Sequence, residues 1–579
     1  MSSEPKVKVV FCWHMHQPDY RDMMTGEYHF PWTYLHAIKD YTDMADHLET
    51  HARARAVVNF APILLEQLED YAVQIESCLN HGERVRDTLL AALVEEQLPA
   101  PGSEEFLVIA RKCLRANRER IIDRFPAFAW LADALSRVEQ NPRVWCYLCD
   151  QFLVDLLVWY HLGWMGEAQR RRDKRVQALQ DKESGYTMED RRLLLSIIGE
   201  AVASIGPRYR KLAERGQVEL AMSPYAHPIV PLLLDLKSTL EAMPDASLPQ
   251  AEEYPGGEER ARWHLQHGIE VFKHYFGVVP KGCWASEGAL SDATLALLAD
   301  AGFSWTATGD SVLHNSLNHS ANESVKQLMS HSDFGLHRAY EFSRLPLRVF
   351  FRDDGLSDLI GFKYATWHAE DAVGDLIHHL ENIARASAKA KDTVISIIMD
   401  GENAWEYFPE NAWYFLDALY RRLNDHPFLE LSTYRDILNT QQPTPVVMNH
   451  LVAGSWVYGT FSTWIGDRDK NRGWDMLCDA KQCADRVMAE KSFSPEKMAQ
   501  IEKQLALCEG SDWFWWFGDY NPAESVSDFE YLFRTHLKNL YQLLEAQEPD
   551  YLNDVISVGK GAPATGGVMR QGHATEDQH

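Results

Sequence analysis

Short apolar runs that stop abruptly at polar residues recur along the first three quarters of the chain, separated by stretches whose apolar positions repeat at helical spacing. The clearest is VISIIM at 394–399, the pattern of a strand covered on both faces, which ends in Asp400-Gly401-Glu402. Residues 7–13 form another, ending in His14-Met15-His16-Gln17-Pro18, where the proline stops the strand. AVVNF at 56–60 precedes a helix opened by Pro62, and VELAM at 218–222 delivers Ser223 to His227 into a loop stiffened by Pro228. The stretch 277–284 leads into Ala285-Ser286-Glu287, FSWTAT spans 303–308, LPLRVFFR at 345–352 ends in Arg352-Asp353-Asp354, and FLEL at 428–431 ends in two helix-capping residues. From about 75 to 212 strand signals fade and long helical patterns take over. The order predicts an α/β fold, a parallel barrel over residues 1–440, with a helical insertion at about 75–212.

Beyond residue 440 the pattern changes. QQPTPVV reads as a linker, and a helical domain is expected over 441–555, carrying two aromatic-rich loops, SWVYGTFSTWIGDRDKNRGW and SDWFWWFGDYNP. Residues 556–579, rich in Gly, Ala and Gln, have the composition of a disordered tail.

Composition narrows the function classes. With 579 residues and 46% hydrophobic content the chain can bury a large core, and 57 basic against 84 acidic residues leave a formal charge of −27. That charge argues against nucleic acid and anionic membranes as partners. The opening apolar run is too short for a secretory signal, and no run reaches membrane-spanning length, so a cytoplasmic protein is expected. Nine cysteines, an odd number in apolar contexts, fit reduced thiols.

His14, His16, His227, Glu287, Arg352, Asp353, Asp400 and Glu402 all stand where an apolar run ends, the end at which α/β barrels gather ligand-handling groups. Two chemistries fit such a set. Histidines with an aspartate describe a metal-dependent barrel hydrolase. A pair of carboxylates, one nucleophile and one acid, describes a metal-free glycosidase whose other groups hold sugar hydroxyls.

Five motifs, taken together and in order from residue 7 to 521, resemble glycoside hydrolase family 57. They are His14-Met15-His16-Gln17-Pro18, Gly216 to Leu220 running on to His227 and Pro228, Trp284-Ala285-Ser286-Glu287, Met399-Asp400-Gly401-Glu402-Asn403, and Ser455 to Trp474 with Trp464-Ile465-Gly466. The resemblance implies an incomplete (β/α)7 barrel with a C-terminal helical domain closing one side of the cleft, no cofactor and no metal. It implies a retaining enzyme acting on α-glucans, with Glu287 as nucleophile and Asp400 as acid/base. His14, His16, His227, Trp284, Arg352, Glu402, Trp405, Trp456 and Trp464 are then the expected sugar-handling residues, with Trp456 or Trp464 lining a subsite. Trp284 and Arg352 are expected beside Glu287, and the charge of Glu402 is expected to raise the Asp400 pKa. Ser286-Glu287-Gly288 departs from the Pro-Glu-Cys usual in the family's branching enzymes, which favours an α-amylase or amylopullulanase-like hydrolase of α-1,4 and also α-1,6 bonds. A 4-α-glucanotransferase and a non-catalytic glucan-binding protein are the alternatives.

Overall fold

The computed structural model describes residues 6–319, 335–387, 392–440, 443–561 and 569–572. Among these, ten strands form: β1 (Val7–Met15), β2 (Ala56–Phe60), β3 (Val218–Met222), β4 (Gly282–Trp284), β5 (Trp305–Gly309), β6 (Tyr340–Phe342), β7 (Arg348–Arg352), β8 (Val394–Asp400), β9 (Leu429–Leu431) and β10 (Val446–Met448). Seven of them, β1-β2-β3-β4-β5-β7-β8, are parallel and close on themselves where β8 returns to β1, so the barrel is of the (β/α)7 kind. Apolar residues on both faces account for this: one face of the strands joins the main core, and the other fills the interior with Val10, Val57, Ala221, Phe350 and Ile398. Trp305 and Phe350 each stack within 4.3 Å of Tyr434 and plug the barrel, leaving its open mouth at the strands' C-terminal ends.

The joints of the barrel are unequal. Lys8–His14 run in register beside Val394–Asp400, whereas β3 meets β4 only at Met222 and Cys283. β7 meets β8 only at Arg352 and Ser396, a seam reinforced by the Asp353 N–H donating to the Ser396 carbonyl at 2.8 Å and Arg352 Nε donating to the Ile398 carbonyl at 2.7 Å.

Helices from Pro62–His81 to Met188–Glu214 fill the chain between β2 and β3, where the helical insertion was expected. After β10 come the long helices Arg468–Glu490, Pro495–Cys508 and Ala523–Leu543. The segment read as a linker contains β10, which pairs with β6. Pro445 immediately before it is tolerated because β10 is an edge strand. β6 itself, three residues antiparallel to β7, lacks a run long enough to read from sequence. Among the described residues no helix is long and apolar enough to cross a membrane.

Part of the stretch expected to be a disordered tail is bonded to the body. Ile556 N–H donates to Glu530 Oε1 at 2.8 Å, and Lys560 and Gly561 N–H donate to the carbonyls of Asp519 and Asn521 at 2.8 and 3.0 Å. Residues 562–568 and 573–579 of that stretch lie outside the described residues.

One buried ionic cluster clamps the C-terminal helices to the barrel. Glu509 accepts from Arg260 Nε at 2.8 Å and Nη2 at 2.9 Å, from the Tyr254 hydroxyl at 2.5 Å, and is hydrogen-bonded to His264 Nε2 at 2.7 Å. Burial opposes its charge, but Arg260 and His264 prevail and hold the carboxyl down at about 2. Its contribution is therefore complete above the ordinary glutamate value near ~4.3 and is lost as pH falls towards 2. Glu509→Ala takes two hydrogen bonds from the buried Arg260, leaving Glu502 as its carboxylate partner, and is expected to cost about 1–3 kcal/mol at neutral pH. Denaturant unfolding measures this, and an unchanged midpoint would dismiss the clamp.

Candidate active site

Glu287 follows β4 in a single tight turn and adopts a left-handed backbone, φ +57°, as does Gly288, φ +60°. A Cβ at Gly288 would come within 2.8 Å of the Trp284 ring, so space as well as conformation demands glycine here. The turn is held by a loop from the C-terminal part of the chain. Leu290 bridges Gly454, Trp456 N–H donates to the Glu287 carbonyl at 3.1 Å, and Trp456 Nε1 donates to Glu287 Oε2 at 2.9 Å. Burial pushes the Glu287 carboxyl up to about 8; Asp400 raises it further, while the Trp456 hydrogen bond and the Arg570 charge oppose the rise.

Asp400 ends β8 directly beside His14 on β1, and the Gly401 N–H donates to the His14 carbonyl at 2.8 Å. Its Oδ2 accepts from Asn403 at 3.2 Å. Burial raises Asp400 to about 6, against that hydrogen bond and the charges of His16, Arg352 and His36.

Three imidazoles line up near the pair. His227 stacks on His16 with centroids 3.8 Å apart and planes at 19°, and on His14 at 5.1 Å and 20°. Burial lowers His14 to about 3 and His227 well below its ordinary value, so both are neutral at physiological pH. His14 Nδ1 is hydrogen-bonded to Asn59 at 2.7 Å, and His227 Nδ1 to Ser511 at 3.0 Å while lying 3.7 Å from Glu287 Oε1. His16 Nε2 is held by both Asp512 oxygens, at 2.9 and 3.0 Å. His16, His227 and Asp512 bring candidate ligand atoms within 4.8 Å of one another. Two nitrogens of the set are already paired within the protein, His16 Nε2 with the Asp512 carboxylate and His227 Nδ1 with Ser511.

The cavity at the barrel mouth, about 580 Å³, is lined by His14, His16, Glu287, Arg352, Asp400, Glu402 and Trp456. Four other expected sugar-handling residues do not reach its wall. His227 and Trp284 lie fully buried behind it, Trp284 packing edge-on to Trp456 at 5.5 Å. Trp405 spends its Nε1 on the Gly401 carbonyl at 2.9 Å, and Trp464 lies in the core beneath Trp515. Asp512, Trp515, Trp516, Asn403 and Arg570 complete the wall and were not singled out as site residues by sequence; the first three belong to the aromatic-rich SDWFWWFGDYNP loop, whose composition was the available signal.

Two electrostatic expectations are corrected. Arg352 is bound to Asp354 at 2.5 Å and Asp358 at 2.8 Å, and its charge acts on Asp400; Glu287 takes its hydrogen bond from Trp456. Glu402 is deeply buried, accepting from the Tyr41 hydroxyl and from Gln17 Nε2 at 2.7 Å; burial raises its pKa well above the ordinary glutamate value, and the neighbouring Asp400 adds to the rise. The Asp400 shift comes from burial, and the charges that act on it, His16, Arg352 and His36, lower it.

Residues 10–450 match the family model of glycosyl hydrolase family 57. No curated protein matches the sequence. Among solved structures the chain is similar to a branching enzyme of the same family from Pyrococcus horikoshii, at 16% identity and TM-score 0.57, over 95% of this chain and 94% of that one. A branching enzyme from Thermococcus kodakaraensis aligns at 14% identity and TM-score 0.56, over 99% and 97% of the two chains. An α-amylase from Thermotoga maritima aligns at 14% identity and TM-score 0.55, over 93% of each.

Proposed function

The chain belongs to glycosyl hydrolase family 57, and on that premise we propose that it cleaves α-glucans with retention of anomeric configuration, Glu287 attacking the anomeric carbon and Asp400 serving first as acid and then as base. The observation that carries this reading is the pair itself: two partly buried carboxyls, one in the turn after β4 and one at the end of β8, line one cavity and are raised to about 8 and about 6. Between those values the pair holds a single proton, the state a retaining glycosidase requires. For reaction that proton stands on Asp400. The cations around Asp400 favour its ionised form in the empty site, and a glycosidic oxygen accepting from the neutral carboxyl shifts the balance back. As the Glu287 oxygen bonds to the sugar carbon, the glycosidic C–O bond breaks and the Asp400 proton passes to the departing oxygen. Asp400 then takes a proton from the water or sugar hydroxyl that displaces Glu287.

Hydrolysis of α-1,4 bonds, with α-1,6 bonds as a further target, is the reading the Ser286-Glu287-Gly288 turn favours, because it departs from the branching-enzyme pattern. Transfer to a second glucan, as in a 4-α-glucanotransferase, is favoured by Trp515 and Trp516 on the cavity wall, whose flat faces suit an acceptor sugar. The test is incubation with maltooligosaccharides, amylose and pullulan, with product lengths and linkages resolved. Hydrolysis gives shorter chains and new reducing ends, transfer gives longer chains without them, and no change in any substrate overturns the proposal. The rate of cleavage, kcat/KM, is expected to be bell-shaped in pH. It falls below about 6, where both carboxyls are protonated and the nucleophile is lost, and above about 8, where both are ionised and the acid is lost.

A further inference from the structure

The described residues near the C-terminus enter the active site. Met569 and Arg570 line the same cavity as Glu287 and Asp400. The Arg570 guanidinium lies 4.4 Å from the Trp515 ring centre and 5.0 Å from that of Tyr520. It donates to Thr463 Oγ1 at 3.1 Å, to the Trp515 carbonyl at 3.2 Å and to the Tyr520 hydroxyl at 3.3 Å. None of the three acceptors is a carboxylate, and among the described residues no carboxylate pairs with it. Three of the five N–H donors of a guanidinium are thereby used, and two remain.

Two residues on, Gly572 is pinned from both sides. Its N–H donates to Asp358 Oδ2 at 2.9 Å and its carbonyl accepts from the Tyr458 N–H at 2.9 Å. Asp358 is itself gripped by Arg352 at 2.8 Å, so the segment is tied on one side to the end of β7 and on the other to the loop that carries Trp456. The fit leaves no room for a side chain, since a Cβ at Gly572 would come within 2.6 Å of Asp354 Cγ.

We propose that Met569–Gly572 is a fixed wall of the glucan cleft and that Arg570 is a specificity-determining residue, offering its two free N–H groups to sugar hydroxyls at the subsite beside Trp515. This inference rests on the α-glucan reading above. The rings of Trp515 and Tyr520 hold the guanidinium against the wall, and hydroxyl and carbonyl acceptors fix its rotation with no carboxylate to pair its charge. The same charge opposes the upward shift of Glu287, so the wall also bears on when the nucleophile ionises.

Three full-length variants test this: Arg570→Ala, Arg570→Lys and Gly572→Leu, the last forcing the segment off Asp354. Each is assayed for kcat and KM on maltooligosaccharides of increasing length and for the pH profile of kcat/KM, with thermal unfolding alongside. Arg570→Ala is expected to raise KM about tenfold for chains long enough to reach the subsite, the loss that goes with two hydrogen bonds of ordinary strength. Its pH profile moves upward because a cation near Glu287 is gone, and Arg570→Lys recovers part of both effects. Gly572→Leu is expected to shift the product lengths by removing the wall. Wild-type KM values, product lengths and pH profile in all three overturn the inference alone. A wild-type protein that neither binds nor cleaves any maltooligosaccharide overturns the α-glucan reading and the inference with it.

Discussion

Glu287→Gln is expected to lower turnover of maltooligosaccharides by about 10⁴-fold while leaving their binding intact. The amide oxygen still accepts from Trp456 Nε1, so the turn and its hydrogen bond survive and only the nucleophile is lost. In the truncated Glu287→Ala, azide in excess restores turnover, because a small anion fits the space the side chain vacates, and the glycosyl azide formed has the inverted configuration. Calorimetry on a long maltooligosaccharide and product analysis by NMR check the two halves. Residual activity within tenfold of wild type would remove Glu287 from the role.

Asp400→Asn divides substrates by their leaving group. Natural glucans, whose departing sugar oxygen needs a proton, are expected to lose about 10²–10⁴-fold in kcat/KM, the range a general acid supplies. A glycosyl fluoride departs without that help and loses far less in the first step. Its glycosyl-enzyme then accumulates, because the base for the second step is missing too, and a pre-steady-state burst reveals it. The basic limb of the pH profile, which reports loss of the acid, disappears on glucans. Equal losses on both substrates would reassign the acid.

The strands that bear the site were legible because each ends an apolar run in a polar cluster, a break in pattern that survives without tertiary information. His14, His16, Glu287, Arg352 and Asp400 were all found by that rule and all reach one cavity. β6 and β10 were not legible: three-residue strands on the barrel's edge have too few alternations to declare themselves, and the prolines before Val446 mimic a linker. Tryptophans misled for another reason. A buried ring and a sugar platform share the same side chain, and Trp405 and Trp464 went to the core while Trp515 and Trp516 went to the wall. Glu402 was read as the cause of the Asp400 shift because sequence does not reveal how deeply a carboxyl is buried, and burial is what raises Asp400. Arg570 was hidden by its setting, since Gly, Ala and Gln around it carry no periodicity and its partners, Thr463, Trp515 and Tyr520, are 50 or more residues away in sequence.

The unequal joints of the barrel make it mechanically two staves. One runs β8-β1-β2-β3 and carries Asp400 with the three imidazoles; the other runs β4-β5-β7 and carries Glu287 and Arg352. Their strands pair only at Met222–Cys283 and Arg352–Ser396, and few further bonds cross between them, among them Arg352 Nε to the Ile398 carbonyl and Ser223 Oγ to the Trp284 carbonyl. The gap between the carboxyls is therefore governed by how the staves lean, more than by the geometry within either. The chain beyond the barrel grips both. Gly454 and Trp456 bind the turn of Glu287, while Ser511 and Asp512 bind His227 and His16. Those two grips, one on a loop and one at the start of a short helix, both belong to the chain beyond the barrel, so the spacing on which the chemistry depends is braced from outside the barrel that supplies its residues.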